Sequence, residues 1–179
     1  MSDLVSRPGT GIDTSRLNGK PLTMSDLRTA EMLLVWAVRR WVACHKSDTD
    51  ARLALREGFR SGNVESALDP FDRIFRIIAT TAKSPRDVRC PNCHQIGDGE
   101  RDFLQAFALW QNGHGEAATT ATMDWLPSAA ARIASHSFQE LAGKFAERGL
   151  VAPMRAIYRP VLSPEQALSA YYTTSETIH

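Results

Sequence analysis

The chain lacks any apolar run near the roughly 18–20 residues that a membrane-spanning helix requires. Its first residues, Met1 to Gly11, contain no basic segment followed by an apolar stretch, which argues against a secretory signal. No charge of one sign is in excess: 21 Lys and Arg face 20 Asp and Glu, for a net charge of +1. A dedicated binder of nucleic acid or of anionic membranes carries a larger or more clustered basic surplus. Neither partner is therefore expected. Cysteine is scarce too. Three residues leave one over in any structural disulfide framework, so the thiols read as reduced groups or metal ligands in a cytoplasmic protein.

Several catalytic signatures are also missing. No Gly-rich phosphate loop opens a helix after a strand, and Gly9-Thr-Gly-Ile-Asp13 lacks that context. There is no His-Glu-x-x-His and no Ser-His-Asp nucleophile elbow. No catalytic or organic cofactor-binding residue is assigned, and the balance leans away from an enzyme. No internal repeat and no convincing alternation of apolar and polar residues appear, which leaves helices as the building unit.

Those helices are well marked. Hydrophobic residues make up 43% of the chain and charged residues 23%, enough for one ordinary domain. Thr23 and Asp26 form a capping-box variant, and a helix is expected over about 24–44. Leu27, Ala30, Leu34, Ala37, Trp41 and Cys44 share its face. A short helix with Leu53 and Leu55 follows over about 50–60, broken by Gly62-Asn63. Pro70 suits the first turn of the next helix, in which Phe71, Ile74, Phe75 and Ile78 fall at i, i+3, i+4 and i+7. Phe103, Leu104, Phe107 and Trp110 mark a helix over about 99–112. An alanine-rich helix runs from Gly115 to Trp125. Ser128 is the expected cap of a helix to about 148, carrying Ile133, Ala134, Phe138, Leu141 and Phe145. Ser163-Pro164-Glu165 would open a last one with Leu168 and Tyr172. The expected fold is all-α: one domain of about six to eight helices over 23–179, preceded by a flexible N-terminal arm over 1–22.

One cluster carries chemistry rather than packing: Cys90-Pro91-Asn92-Cys93-His94. Cys-x-x-Cys lets two thiolates face one ion from a tight turn, and Zn²⁺ favours tetrahedral sulfur and nitrogen ligands. The run resembles one knuckle of a zinc ribbon, with His94 where glycine is common and with no second Cys-x-x-Cys. Zinc-binding anti-sigma factors carry His-x-x-x-Cys-x-x-Cys, and Arg86 stands here where that histidine would be. Two more ligands are needed. Cys44 is the expected third. His114, in a Gly-flanked turn, ranks first as the fourth, ahead of His136, His94 and His45. The expected metal set is thus Cys44, Cys90, Cys93 and His114, holding zinc.

A second reading makes the pair redox-active, with Cys90 as the attacking thiol and Cys93 as the resolving one. A third notes that Cys-x-x-Cys-His is also the haem attachment pattern. In the plainest reading Cys44 is a small buried hydrophobe and the other two are loop thiols. Asp98, Glu100 and Asp102 are candidate metal or outer ligands beside the cluster, but read rather as favouring the positive end of the following helix. Arg39, Arg40, Arg73 and Arg76 are candidates for a converging anion site, but read rather as solvated helix faces. The resulting expectation is a zinc-binding regulatory or interaction protein with a protein partner or a second copy of itself. A thiol-based redox protein or small enzyme is the alternative.

Overall fold

Regular apolar spacing makes six α-helices, and phenylalanine decides how they meet. A computed structural model describes residues 22–155 of the chain. Among them lie α1 (Thr29–Lys46), α2 (Ala51–Ser61), α3 (Leu68–Thr81), α4 (Asp98–Gln111), α5 (Gly115–Met123) and α6 (Ser128–Ala146), in a single domain. Two 3₁₀ turns, Met24–Asp26 and Glu65–Ala67, complete the list, and the described residues contain no strand. The expected arm, apart from Leu22, and the expected helix with Leu168 and Tyr172 lie outside the described residues.

All seven phenylalanines of the chain are buried. Phe71 stacks on Phe75 one turn along α3, with ring centroids 4.6 Å apart. Phe75 meets Phe103 of α4 at 5.1 Å, and Phe103 meets Phe138 of α6 at 5.5 Å. Phe107 meets Phe145 edge-on at 5.2 Å, and Phe59 links α2 to Phe71 at 5.4 Å. Burying each ring contributes about 1.5–3 kcal/mol, and each pair adds about 0.5–1.5 kcal/mol. This ladder joins α2, α3, α4 and α6 into one core.

Caps explain where the helices start. Asp50 accepts from the backbone N–H groups of Arg52 and Leu53, which fixes the start of α2. The first helix differs from expectation. Thr23 and Asp26 do form a reciprocal cap, but only around a single 3₁₀ turn, because Leu27 is extended at φ −86° and ψ 147°. The chain restarts at Thr29, where Glu31 accepts from the Arg28 N–H at 2.8 Å. Ser128 is the first residue of α6 rather than its cap, and Pro127 precedes it in extended conformation.

Two of the apolar residues named on the expected helices face outward. Leu53 is 69% exposed and Ile133 66% exposed. On their helices the buried faces are taken by Leu55 and Phe59, and by Ala134, Phe138 and Leu141. The α1–α2 contact rests on a close approach at Gly58: a Cβ there would lie 2.2 Å from the Trp36 ring.

Polar ties hold what the rings do not. Buried Asp72 of α3 accepts from Trp41 Nε1 at 3.0 Å and from Arg76 Nε at 2.7 Å. Arg52 approaches Asp72 and hydrogen-bonds Asp69, which holds its guanidinium above the ordinary value. Arg155 forms a fork on fully buried Glu31, at 2.7 and 2.6 Å, and so ties the segment after α6 to the start of α1. Gln111 donates to the Leu150 carbonyl and accepts from Ala152 N–H, which fastens the same segment from the other side.

Candidate functional site

The Cys-x-x-Cys run lies in the long connection between α3 and α4, residues 82–97. Cys90 and Cys93 are joined by a disulfide, with their Cα atoms 5.2 Å apart. The Cys93 N–H donates to the Cys90 carbonyl at 3.0 Å, closing a tight turn around Pro91-Asn92. Cys90 is exposed and Cys93 half-buried. This turn carries no apolar ladder of its own; its order comes from polar groups beneath it.

The chief of these is Arg39. It sits on α1, is only 3% exposed, and uses its whole guanidinium. Nε donates to Glu100 Oε1 at 2.7 Å and Nη2 to Oε2 at 3.0 Å, a two-pronged pair with α4. Nη1 donates to the Cys93 carbonyl at 2.5 Å, and Nη2 also donates to the Gln95 carbonyl at 2.8 Å. Glu100 is fully buried and has further partners. Its carboxylate accepts from the Arg89 N–H at 3.1 Å, just before the turn, and from the Gly97 N–H at 2.8 Å, just after it. One buried ion pair thus grips the loop on both sides of the cysteines. Two buried charges are stable only when paired and fully hydrogen-bonded, and this pair meets that condition.

Two further contacts complete the frame. The Leu22–Met24 segment runs antiparallel to 94–96: Ile96 N–H donates to the Leu22 carbonyl at 3.0 Å, and Met24 N–H to the His94 carbonyl at 2.8 Å. The loop also crosses the start of α4 at close range. A Cβ on Gly97 would lie 2.5 Å from the Asp87 carbonyl oxygen, and one on Gly99 would lie 2.8 Å from Arg86 Cβ. Both glycines are there because the backbone at 86–87 leaves no room for a side chain.

The expected metal set is not brought together. Cys44 is buried at the end of α1 with 5% exposure and carries a free thiol. Cys90 and Cys93 lie at the surface of the loop, bonded to each other. His114 is exposed at the start of α5. Of the other histidines considered, His94 and His136 are exposed, and His45 stacks on Trp41 at 4.9 Å. Among the described residues, no group of three or more His, Cys, Asp and Glu side chains is arranged to hold a metal ion. The physical reason is the face of α1: Cys44 points into the apolar interior, whereas the cysteine turn rides on its polar clamp at the surface.

The sequence reading does not pair Arg39 with Glu100: it favours a solvated cation for the first and a helix-start anion for the second. Glu100 does serve the start of α4, but its larger role is the pair. The signal available was weak. Arg39 lies on the apolar side of α1, between Val38 and Trp41, where a solvated residue does not belong.

The fold and this loop define a class of object: an all-helical domain bearing a Cys-x-x-Cys turn clamped by a buried Arg–Glu pair. The chain matches no protein-family model, no curated protein and no solved structure. No helix among the described residues is long and apolar enough to cross a membrane.

Proposed function

We propose that this protein is a thiol–disulfide regulatory protein of the cytoplasm, in which the Cys90–Cys93 turn is the reactive element and a protein dithiol is its partner. The observation that carries the reading is the bonded, surface-lying pair on a loop whose backbone is gripped from below. In a reducing compartment, disulfides are mostly transient and belong to catalysis or sensing. Cys90, the more exposed residue of the pair, receives the attack of a partner thiolate on its sulfur. The Cys90–Cys93 bond breaks, a mixed disulfide forms on Cys90, and Cys93 leaves as a thiolate that takes up a proton. The partner's second thiolate then attacks the mixed disulfide and releases Cys90. Two electrons have passed to this chain, and the partner carries the new disulfide.

The test is equilibration in glutathione buffers followed by alkylation and mass measurement. The expected result is reversible loss and gain of two thiols at Cys90 and Cys93, with buried Cys44 unchanged throughout. The Cys93→Ser variant should accumulate a glutathione adduct on Cys90. A pair that never reduces under native conditions would overturn the reading.

A second reading, a zinc-binding regulatory or interaction protein, is favoured by one observation: the Cys93 N–H to Cys90 carbonyl turn, the geometry from which two thiolates face one ion. The described residues do not supply the remaining ligands, so this reading requires donors from elsewhere, such as a second copy or a partner protein. Elemental analysis of protein purified under reducing conditions tests it. About one zinc per chain, lost in Cys90→Ser, would support it, and iron would point to the haem pattern instead.

A further inference from the structure

The cysteine loop has a second face. Its first half, Lys83 to Val88, forms one side of a cavity of about 530 Å³ bounded by α1, α3 and the start of α4. That volume lies in the range of sites for single small molecules, about 300–1,000 Å³. The floor is apolar: Val38, Phe75, Ile78, Phe103 and Trp125 line it. The mouth carries the cations Lys46, Lys83 and Arg86 beside His45, and no Asp or Glu lines the cavity.

The charge at the mouth is largely uncompensated. Lys46 has no carboxylate within ion-pair distance among the described residues. Lys83 Nζ meets only a backbone carbonyl, that of Met123. Arg86 engages Asp102, yet its Nε is buried without an acceptor. Packing alone does not explain an apolar cleft ringed by cations in a chain whose net charge is only +1. Apolar walls reward a hydrocarbon or aromatic body, and the rim rewards one negative head.

We propose that this cavity binds a small amphiphilic anion, a medium-chain or aromatic carboxylate, with the tail against Phe75, Phe103 and Trp125 and the head between Lys46 and Lys83. The ligand is a free molecule rather than a membrane surface, because the apolar floor is recessed between helices instead of displayed on one face. The site is independent of the thiol chemistry proposed above, and its test reads binding rather than redox state.

The test is calorimetric titration of the full chain with decanoate, followed in parallel by tryptophan fluorescence, since Trp41 and Trp125 both line the cavity. Saturable binding of about one decanoate per chain is expected, with decanol at least about tenfold weaker because it lacks the charge. Lys46→Glu combined with Lys83→Glu should weaken decanoate by about tenfold or more while leaving decanol unchanged, a shift of about 1.4 kcal/mol. Ala79→Trp, at an exposed helical position on the cavity edge, should abolish binding of both with circular dichroism unchanged. Equal binding of decanoate and decanol, insensitive to the lysine reversals, would overturn the proposal. So would non-saturable uptake, no binding, or association with anionic vesicles in preference to free decanoate.

Discussion

The phenylalanine ladder and the cysteine loop are held by opposite means. In the ladder, seven rings on four helices exclude water, and no single polar contact matters to it. In the loop, a single guanidinium and a single carboxylate grip the backbone on both sides of the cysteines, at residues 89, 93, 95 and 97. Removing one ring from the ladder leaves a cavity and the same architecture. Removing one partner of the clamp leaves a naked buried charge and two orphaned backbone groups: the Cys93 and Gln95 carbonyls if Arg39 goes, the Arg89 and Gly97 N–H groups if Glu100 goes. The core should therefore fail gradually and globally, and the loop sharply and locally.

The largest expected effect is on the ladder. Phe107→Ala should cost about 3–5 kcal/mol in urea unfolding, without separating loop from core into two transitions. Arg39→Met should cost about 3–5 kcal/mol as well, toward the lower end, since Glu100 is left unpaired. Its distinguishing sign is hydrogen exchange: the amides of Arg89 and Gly97 should lose protection while those of α6 keep theirs. If α6 and the loop lost protection together, the two regions would not be separately held.

Gly97→Ala comes next, at about 1–3 kcal/mol, because the new Cβ meets the Asp87 carbonyl and the loop must shift. Trp41→Phe should cost about 1–3 kcal/mol through the loss of its hydrogen bond to buried Asp72, measured by thermal unfolding. Leu53→Ala is the smallest, within about 0.5 kcal/mol, since the side chain is exposed.

The same contrast explains what could be read from the chain. The ladder was legible because its signal is periodic: Phe71, Ile74, Phe75 and Ile78 announce a helix face, and ring burial follows. Periodicity also misled where apolar residues outnumber core positions, as at Leu53 and Ile133. The cysteine turn was visible as a motif, but its neighbours were not. Arg39 and Glu100 are 61 residues apart, and no local pattern ties a cation on one helix to an anion on another. Cys44 illustrates the converse. Its spacing on α1 placed it on the apolar face, where it is buried, yet the sequence reading made it the third metal ligand.

The most direct test of the central claim is the midpoint potential of the Cys90–Cys93 couple in the native chain and in Arg39→Lys. The lysine keeps the charge but cannot make the two-pronged contact with Glu100 and reach both loop carbonyls. If the clamp preorganises the turn, the wild-type disulfide resists reduction more strongly. Losing the clamp should make the pair easier to reduce by about 30 mV, a tenfold change for a two-electron couple. Identical potentials in the two proteins, with both folded, would contradict the account and leave the buried pair a purely structural tie.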